Sequence, residues 1–201
     1  MKNILYFAAI FSFAAMSSCG SNSETDSKKI ADSINTAKID SAKSADTVAS
    51  APSHLAELKT DAEFVVSAAD GGMLEVQLGK LAEQKSHNKS VKSFGAMMVR
   101  DHSKADEQLK KLASSKNIAI PATLSDKCQK QLSDLSAKNG TDFDKDYASA
   151  MVSGHKDNID MFKKEADNGK DSAIVQWARG KLPTLEHHLD MAEQTDKVVN
   201  K

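Results

Sequence analysis

The sequence predicts an all-helical protein in which four long helices form two hairpins, with a short extra helix in the connection between the hairpins. Only three prolines and nine glycines occur in 201 residues, so little interrupts regular structure. Alanine, lysine, aspartate, serine and leucine are abundant and β-branched runs are rare, which favours helix over sheet. Apolar residues recur at helical spacing in four long segments. At this length we expect one compact domain with accessory segments.

Residues 1–19 have the pattern of a bacterial lipoprotein signal peptide. Thirteen apolar or small residues, "ILYFAAIFSFAAM", follow the N-terminal lysine, which is too short a run for a stable membrane span. The next residues complete "AAMSSC", which resembles a lipobox with Met16 in place of the usual leucine. We therefore predict that Cys19 is lipidated and anchors the chain in a membrane. Gly20, in place of aspartate, points to the outer membrane of a two-membrane envelope, with the domain in the periplasm. An ordinary cleaved signal with an incidental cysteine is the alternative.

The segment from 20 to 52 is rich in serine, alanine, aspartate, lysine and threonine and contains only isolated isoleucine and valine residues. Such a composition buries too little apolar surface to order a chain on its own. We therefore expect a disordered tether with an end-to-end distance of about 30 Å between the anchor and the helical domain. That domain is expected to occupy residues 53–201.

Charge and cysteine content exclude two classes of protein. The net charge is −1, and both signs are interspersed, so the chain has no basic face for a phosphate backbone and we expect no nucleic-acid partner. With Cys19 lipidated, Cys128 has no partner for an internal disulfide, so a disulfide framework is excluded. We expect Cys128 to be a buried, unreactive thiol.

The first predicted hairpin spans two long helices. Thr60 and Glu63 have the spacing of a capping box, so the first helix is expected to begin there. A polar turn, "SHNKS", follows, and the second helix is expected over about residues 89–116. Because the turn is short, the two helices must be antiparallel neighbours.

The second hairpin follows a connection that contains the short helix, which Ser125 is expected to cap. Thr141 is expected to cap the third long helix, which ends at Gly169. The fourth is expected to begin after the capping residue Asp171 and to kink at Pro183.

Each long helix carries, on its apolar stripe, one residue able to bind a metal or a proton. The position of each lies within about one turn of its helix midpoint. Antiparallel pairing would therefore bring the four to one level, where helical bundles build metal and cofactor sites. These residues are Glu75, His102, His155 and His188. Asp101 lies one position off the stripe, where a carboxylate can orient a neighbouring imidazole.

Glycines accompany these polar positions. Each glycine inside a helix costs about 1 kcal/mol relative to alanine. The glycines near these residues therefore indicate a close approach of helices or a small cavity. The alternative is that they only permit tight packing where helices cross. The glycines concerned are Gly71, Gly72, Gly79, Gly95, Gly154 and Gly180.

Four segments of the chain together resemble a known family. "FVVSAADGGMLEVQLGKLA", "VKSFGAMMVRDHSKA", "FDKDYASAMVSGH" and "LPTLEHHLDMA" are similar to segments of the domain of unknown function 4142 family, whose members are ferritin-like helical bundles of the bacterial envelope. The resemblance covers about residues 60 to 195. It implies a ferritin-like four-helix fold and no established activity. It also supports, as the positions of the family pattern, Glu75, Asp101, His102, His155 and His188.

The side chains at these positions differ from those of an iron-oxidising ferritin. Such sites use Glu-x-x-His motifs, whereas the residues three positions before the three histidines are Val99, Val152 and Leu185. One carboxylate and three imidazoles instead suit a single divalent ion, zinc, or copper or iron at a more open site. A polar layer that only sets helix register is the main alternative. Acid-base catalysis is the third, and no activated nucleophile or phosphate loop is present.

The function expected from the sequence is therefore that of a membrane-anchored envelope lipoprotein acting by binding rather than by turnover. A single metal ion or a small ligand would occupy the core of the helical domain. The competing function is that of a structural or protein-interaction module whose buried histidine and glutamate layer sets helix register.

Overall fold

The computed structural model describes residues 26–45 and 52–201, and all regular secondary structure in these two ranges is helical. This confirms the all-helical prediction. Within the same two ranges, no helix is both long enough and apolar enough to cross a membrane. The described helices are α1 (Ser27–Ala45), α2 (Pro52–Lys85), α3 (Lys89–Ser115), α4 (Asp126–Ser136), α5 (Gly140–Asn168) and α6 (Ser172–Val199).

Side chains cap the N-termini of α3, α4 and α6. Ser125 accepts a hydrogen bond from the backbone N–H of Cys128 and caps α4, as predicted. Asp171 accepts from the first N–H groups of α6, again as predicted. Asn88, in the short turn between α2 and α3, caps α3 in the same way. These side chains satisfy backbone donors that a helix leaves unpaired at its N-terminus.

Two predicted helix starts are wrong. α2 begins at Pro52, so Thr60 lies inside the helix. Proline suits the first turn of a helix because its missing N–H has no partner there. The neighbouring Asp61 is buried and accepts from the backbone N–H groups that lead into α6, so a tertiary contact holds this turn in the helix. α5 begins at Gly140, one residue before Thr141, and no side chain caps it.

The prediction that residues 20–52 are disordered is wrong for the part of the segment that the structure describes. α1 packs against α2, and Ala31 and Asn35 are buried. The Asn35 amide donates to the carbonyl oxygen of Ala119 over 2.8 Å and accepts from the N–H of the same residue over 2.7 Å. The low apolar content of this segment did not predict the helix because hydrogen bonds to the backbone of another segment hold α1 in place. Cys19 and the signal segment lie outside the described residues.

The long helices pack mainly in two pairs. α2 lies along α3, and α5 lies along α6, with additional contacts between α2 and α5 and between α3 and α6. Turns of three residues connect the members of each pair, as the sequence predicted for the first hairpin. α4 contacts α2 and α5. α6 remains helical through Pro183.

α4 is attached to α2 by a buried carboxylate. Asp70 accepts from the backbone N–H of Ser125 over 2.8 Å and from its hydroxyl over 2.6 Å. The thiol of Cys128 lies 3.1 Å from the same carboxylate. Burial raises the pKa of Cys128 to about 11. Cys128 is therefore a buried thiol, as predicted.

Two apolar clusters fill the interior, and every long helix contributes to both. One cluster contains Leu78, Phe94, Met98, Tyr147 and Ala192, among others. The other contains Phe64, Leu109, Ile159, Phe162 and Leu185, among others. Along each of α3, α5 and α6, the buried histidine falls between the residues of one cluster and those of the other. The polar layer therefore separates two apolar halves of the core.

Three glycines of α2 and α3 have close neighbours from another helix, whereas Gly154 in α5 and Gly180 in α6 have none. A Cβ atom on Gly79 would lie 2.7 Å from the carbonyl oxygen of Gly95, and one on Gly95 would lie 2.7 Å from that of Gly79. These two residues thus mark the close approach of α2 and α3. Gly72 leaves room for the carboxyl group of Asp106. No atom within 4 Å would meet a Cβ on Gly154 or on Gly180, so proximity to a histidine does not explain those glycines.

Candidate metal centre

The four stripe residues predicted from the sequence meet in one buried layer. Glu75 comes from α2, His102 from α3, His155 from α5 and His188 from α6, and none is more than 6% exposed. The three imidazole ring centroids lie between 5.2 and 5.9 Å apart. The three histidines lie near the midpoints of their helices, whereas Glu75 lies past the midpoint of α2, which begins earlier than predicted. All four reach one level because the helices of each pair run side by side and each residue lies at a similar distance from the turn of its pair.

Each imidazole uses one ring nitrogen in a polar contact. His102 Nδ1 lies 3.0 Å from Glu75 Oε2. His155 Nδ1 lies 2.8 Å from the carbonyl oxygen of Met151, one turn earlier in α5. His188 Nε2 lies 3.1 Å from Asp101 Oδ2. A carbonyl and the ionised Asp101 only accept, so the contacting nitrogens of His155 and His188 carry the proton. The contacting nitrogen of His102 carries it when Glu75 is ionised.

The second nitrogen of each ring has no hydrogen-bond partner among the described residues, although it is buried. These atoms are His102 Nε2, His155 Nε2 and His188 Nδ1. His155 Nε2 lies 3.6 Å from Glu75 Oε1, which is too long for a hydrogen bond. In a neutral imidazole whose other nitrogen is protonated, such an atom carries a free lone pair. The layer therefore contains two imidazoles with a free lone pair, those of His155 and His188, and a third, that of His102, when Glu75 is ionised.

The surroundings keep these imidazoles neutral. Burial lowers the pKa of His102 and that of His188 to about 4, and it also lowers the pKa of His155. Asp101 is ionised because its bonds to Arg100, above all, lower its pKa to about 2. At neutral pH, none of the three rings therefore carries a charge that would repel a cation.

The histidines are close enough to form a metal-binding group with a small adjustment. One ligand nitrogen from each ring lies within 4.8 Å of one from each of the others. In a tetrahedral zinc site, bonds of about 2.0 Å place ligand nitrogens about 3.3 Å apart. Binding would thus draw the ligand nitrogens together by up to about 1.5 Å, a movement that side-chain rotation can supply. The polar contacts on the far side of each ring are those that usually orient metal-bound histidines.

Glu75 lies beside this group, with its carboxylate oxygens 3.0 Å from His102 Nδ1 and 3.6 Å from His155 Nε2. It pairs with His102 and accepts a hydrogen bond of 3.1 Å from the amide of Asn158. The histidines alone form the metal-binding group found among the described residues. Burial raises the pKa of Glu75. The structure therefore places Glu75 as the hydrogen-bonding partner of one candidate ligand, His102, just as Asp101 is the partner of His188.

A cavity of about 210 Å³ opens beside the histidine layer. His102 and His188 line it, together with Asp106, Phe162 and Trp177. Burial, assisted by the charge of Glu75, raises the pKa of Asp106 to about 7. Sequence reasoning missed Asp106, although it lies four residues after His102 and so on the same helix face. It also missed Trp177, because no local pattern distinguishes a cavity wall from an ordinary core position.

Comparison with known proteins identifies a family and no characterised relative. The model for a family described as "Domain of unknown function (DUF4142)" matches residues 44–195, most of the chain, and confirms the resemblance seen in the sequence. No curated protein and no solved structure matches the chain. The histidine layer and the cavity beside it both lie within the matched residues.

Proposed function

We propose that this chain, which belongs to the DUF4142 family, is a lipid-anchored envelope protein that binds one divalent transition metal ion in a ferritin-like four-helix bundle. His102, His155 and His188 are the proposed ligands. Glu75 and Asp101 orient the ligand rings. The protein acts by binding rather than by turnover.

The observation that carries the proposal is the set of three buried, unpaired imidazole nitrogens in one layer. A buried polar atom without a partner costs about 1–3 kcal/mol, so three of them in a small volume are unfavourable unless water or an ion binds there. Coordination of a cation satisfies all three lone pairs at once. Because the rings are neutral in the folded protein, the cation displaces no proton from them at neutral pH.

The ligand set narrows the choice of metal. Imidazole nitrogen suits zinc, copper and iron, whereas calcium and magnesium prefer oxygen. Three protein ligands fill only part of a tetrahedral coordination sphere, which is the arrangement of zinc sites that keep one position open. Two bridging carboxylates of the ferritin type have no counterpart in the described layer, in which Glu75 is the sole carboxylate.

The cellular location and the bundle type rest on separate support. The lipobox-like segment ending at Cys19 supports lipidation, and Gly20 supports the outer membrane with the domain in the periplasm. Replacing Cys19 by serine should move the protein from the membrane fraction to the soluble fraction. An unmodified Cys19 in the native protein would contradict the anchor.

The pairing of α2 with α3 and of α5 with α6 supports the ferritin-like bundle.

A structural module is the second candidate function, and a specific observation favours it. The contact between Glu75 and His102 joins α2 to α3, and the contact between Asp101 and His188 joins α3 to α6. Such contacts can set helix register without a ligand. These two contacts account for one nitrogen of His102 and one of His188, and a bond to Met151 within α5 accounts for one of His155. The second nitrogen of each ring is left without a partner among the described residues.

Metal content distinguishes the two functions. Tag-free protein, loaded separately with zinc, copper and iron and freed of excess metal, should retain about one ion per chain of at least one metal in elemental analysis. His102→Ala should weaken binding of that metal by more than tenfold, since it removes a ligand. His87→Ala is the matched control because His87 is exposed in the turn between α2 and α3. Equal binding by both variants, or no retained metal, would leave the structural module.

A further inference from the structure

We propose that the cavity beside the histidine layer binds a small monocarboxylate, which occupies the open coordination position of the metal. The inference rests on the proposed metal function and adds the class of ligand. The cavity is lined by two of the three candidate metal ligands, His102 and His188, and by Glu75. A molecule in the cavity is therefore adjacent to the proposed ion.

The size of the cavity limits the ligand to a small molecule. Its volume is about 210 Å³. An apolar cavity of about 150 Å³ holds benzene, so this one accommodates a ligand of about the size of benzoate. A nucleotide or a peptide is too large. The inner wall is formed in part by Ala68, Phe162 and Leu185, which favours a ligand with an apolar body.

Trp177 lines the cavity and carries a buried hydrogen-bond donor. Its indole Nε1 is buried and has no partner among the residues that the structure describes. Indole nitrogen can only donate, so a ligand must offer an acceptor to satisfy it. A carboxylate offers acceptors to both the indole and a metal ion, whereas an amine or an ammonium group offers none in its charged form.

The charges around the cavity are compatible with an anion. Two lysines, Lys104 and Lys181, and three carboxyl groups line it: the ionised Asp101, Glu75, whose pKa burial raises, and Asp106. The Lys181 ammonium lies 5.8 Å from the centre of the Trp177 ring and donates to the Gln108 side chain. Asp106 has a pKa raised to about 7, chiefly by burial, so at neutral pH this carboxyl group is protonated in a large fraction of molecules. A bound divalent cation adds positive charge at the inner end.

The test uses the full chain loaded with Co²⁺, whose visible absorption reports its coordination, and benzoate as the probe. Trp177 is the only tryptophan, so intrinsic fluorescence reports this cavity alone. Benzoate should change the Co²⁺ spectrum and the fluorescence over the same saturable concentration range. Metal-free protein should bind benzoate at least tenfold more weakly.

Two variants on the same helix provide a matched pair. Ala105→Phe fills the cavity, which Ala105 lines, and should abolish the benzoate response while the Co²⁺ stoichiometry is retained. Ala96→Phe places the same side chain at an exposed position of α3 outside this cavity and should respond like the natural protein. Trp177→Phe removes the donor and should weaken benzoate binding by about fivefold, read from the Co²⁺ spectrum.

The outcomes separate this inference from the proposed function. If the protein retains no Co²⁺ or other transition metal, both fail. If Co²⁺ binds and benzoate changes neither signal, the metal site stands and the carboxylate site is refuted. An equal benzoate response in Ala105→Phe and Ala96→Phe would also refute the cavity as the binding place.

Discussion

Replacing Gly95 by alanine should push α2 and α3 apart and destabilise the protein. The new Cβ would lie 2.7 Å from the carbonyl oxygen of Gly79 and 2.9 Å from the Cβ of Ala82. Both distances are shorter than a van der Waals contact, and the first involves backbone, which cannot rotate away as a side chain can. The helices must therefore separate locally.

The expected loss of stability follows from two opposing effects. Alanine recovers about 1 kcal/mol of helix propensity relative to glycine. Overpacking a well-packed interior costs about 1–3 kcal/mol, and contacts with backbone belong at the upper end of that range. We expect a net loss of about 1–2 kcal/mol, which for a chain of this length lowers Tm by roughly 2–8 °C.

Gly180→Ala is the matched control for Gly95→Ala. Gly180 lies inside α6, and no atom within 4 Å would meet its Cβ, so only the propensity gain of up to about 1 kcal/mol remains. Thermal and urea unfolding, monitored by circular dichroism, should therefore shift in opposite directions for the two variants. Gly95→Ala should also weaken metal binding because Gly79 lies one turn after Glu75, which contacts His102 over 3.0 Å.

A Gly95→Ala protein as stable as the natural chain would refute this reasoning. It would mean that α2 and α3 are farther apart in solution than the contact between Gly79 and Gly95 implies. Loss of stability without any change in metal affinity would contradict only the inference that separating α2 from α3 disturbs the metal centre.

Three further predictions concern other parts of the molecule. Asn35→Ala removes both hydrogen bonds to Ala119 and should lower the free energy of unfolding in urea by about 1–2 kcal/mol. An unchanged free energy of unfolding would mean that α1 is detached in solution. In metal-free protein, NMR titration should show His102 and His188 protonating near pH 4. Because the pKa of each is lower in the folded protein than the ordinary 6.5, their contribution to stability is present above pH 6.5 and is lost as the pH falls towards 4. Titration midpoints near 6.5 would contradict the burial of these two histidines. Cys128, whose pKa is raised to about 11, should resist alkylation at pH 8.5 until the protein is unfolded. Its contribution to stability should decline as the pH rises from 9 to 11. Rapid labelling of the folded protein would contradict the burial of this thiol.

Helical periodicity alone determined which residues form the polar layer. Apolar side chains at 3.6-residue spacing define one stripe per helix, and a histidine or glutamate on that stripe is directed into the interior whatever the neighbouring helix is. Because short turns make the helices of each hairpin antiparallel, residues at similar distances from the turn share one level. Periodicity and turn length therefore suffice to place Glu75, His102, His155 and His188 together.

Local sequence could not determine which residues face one another across helices. Gly95 and Gly180 carry the same local cost, yet one marks a close approach and the other faces open space. Asn35 orders α1 through the backbone of Ala119, which is 84 positions away in the chain. In the same way, the partner of each imidazole and the cavity wall at Trp177 depend on the rotation of one helix against another. That rotation is decided by packing over the whole interior, so only the tertiary structure shows it.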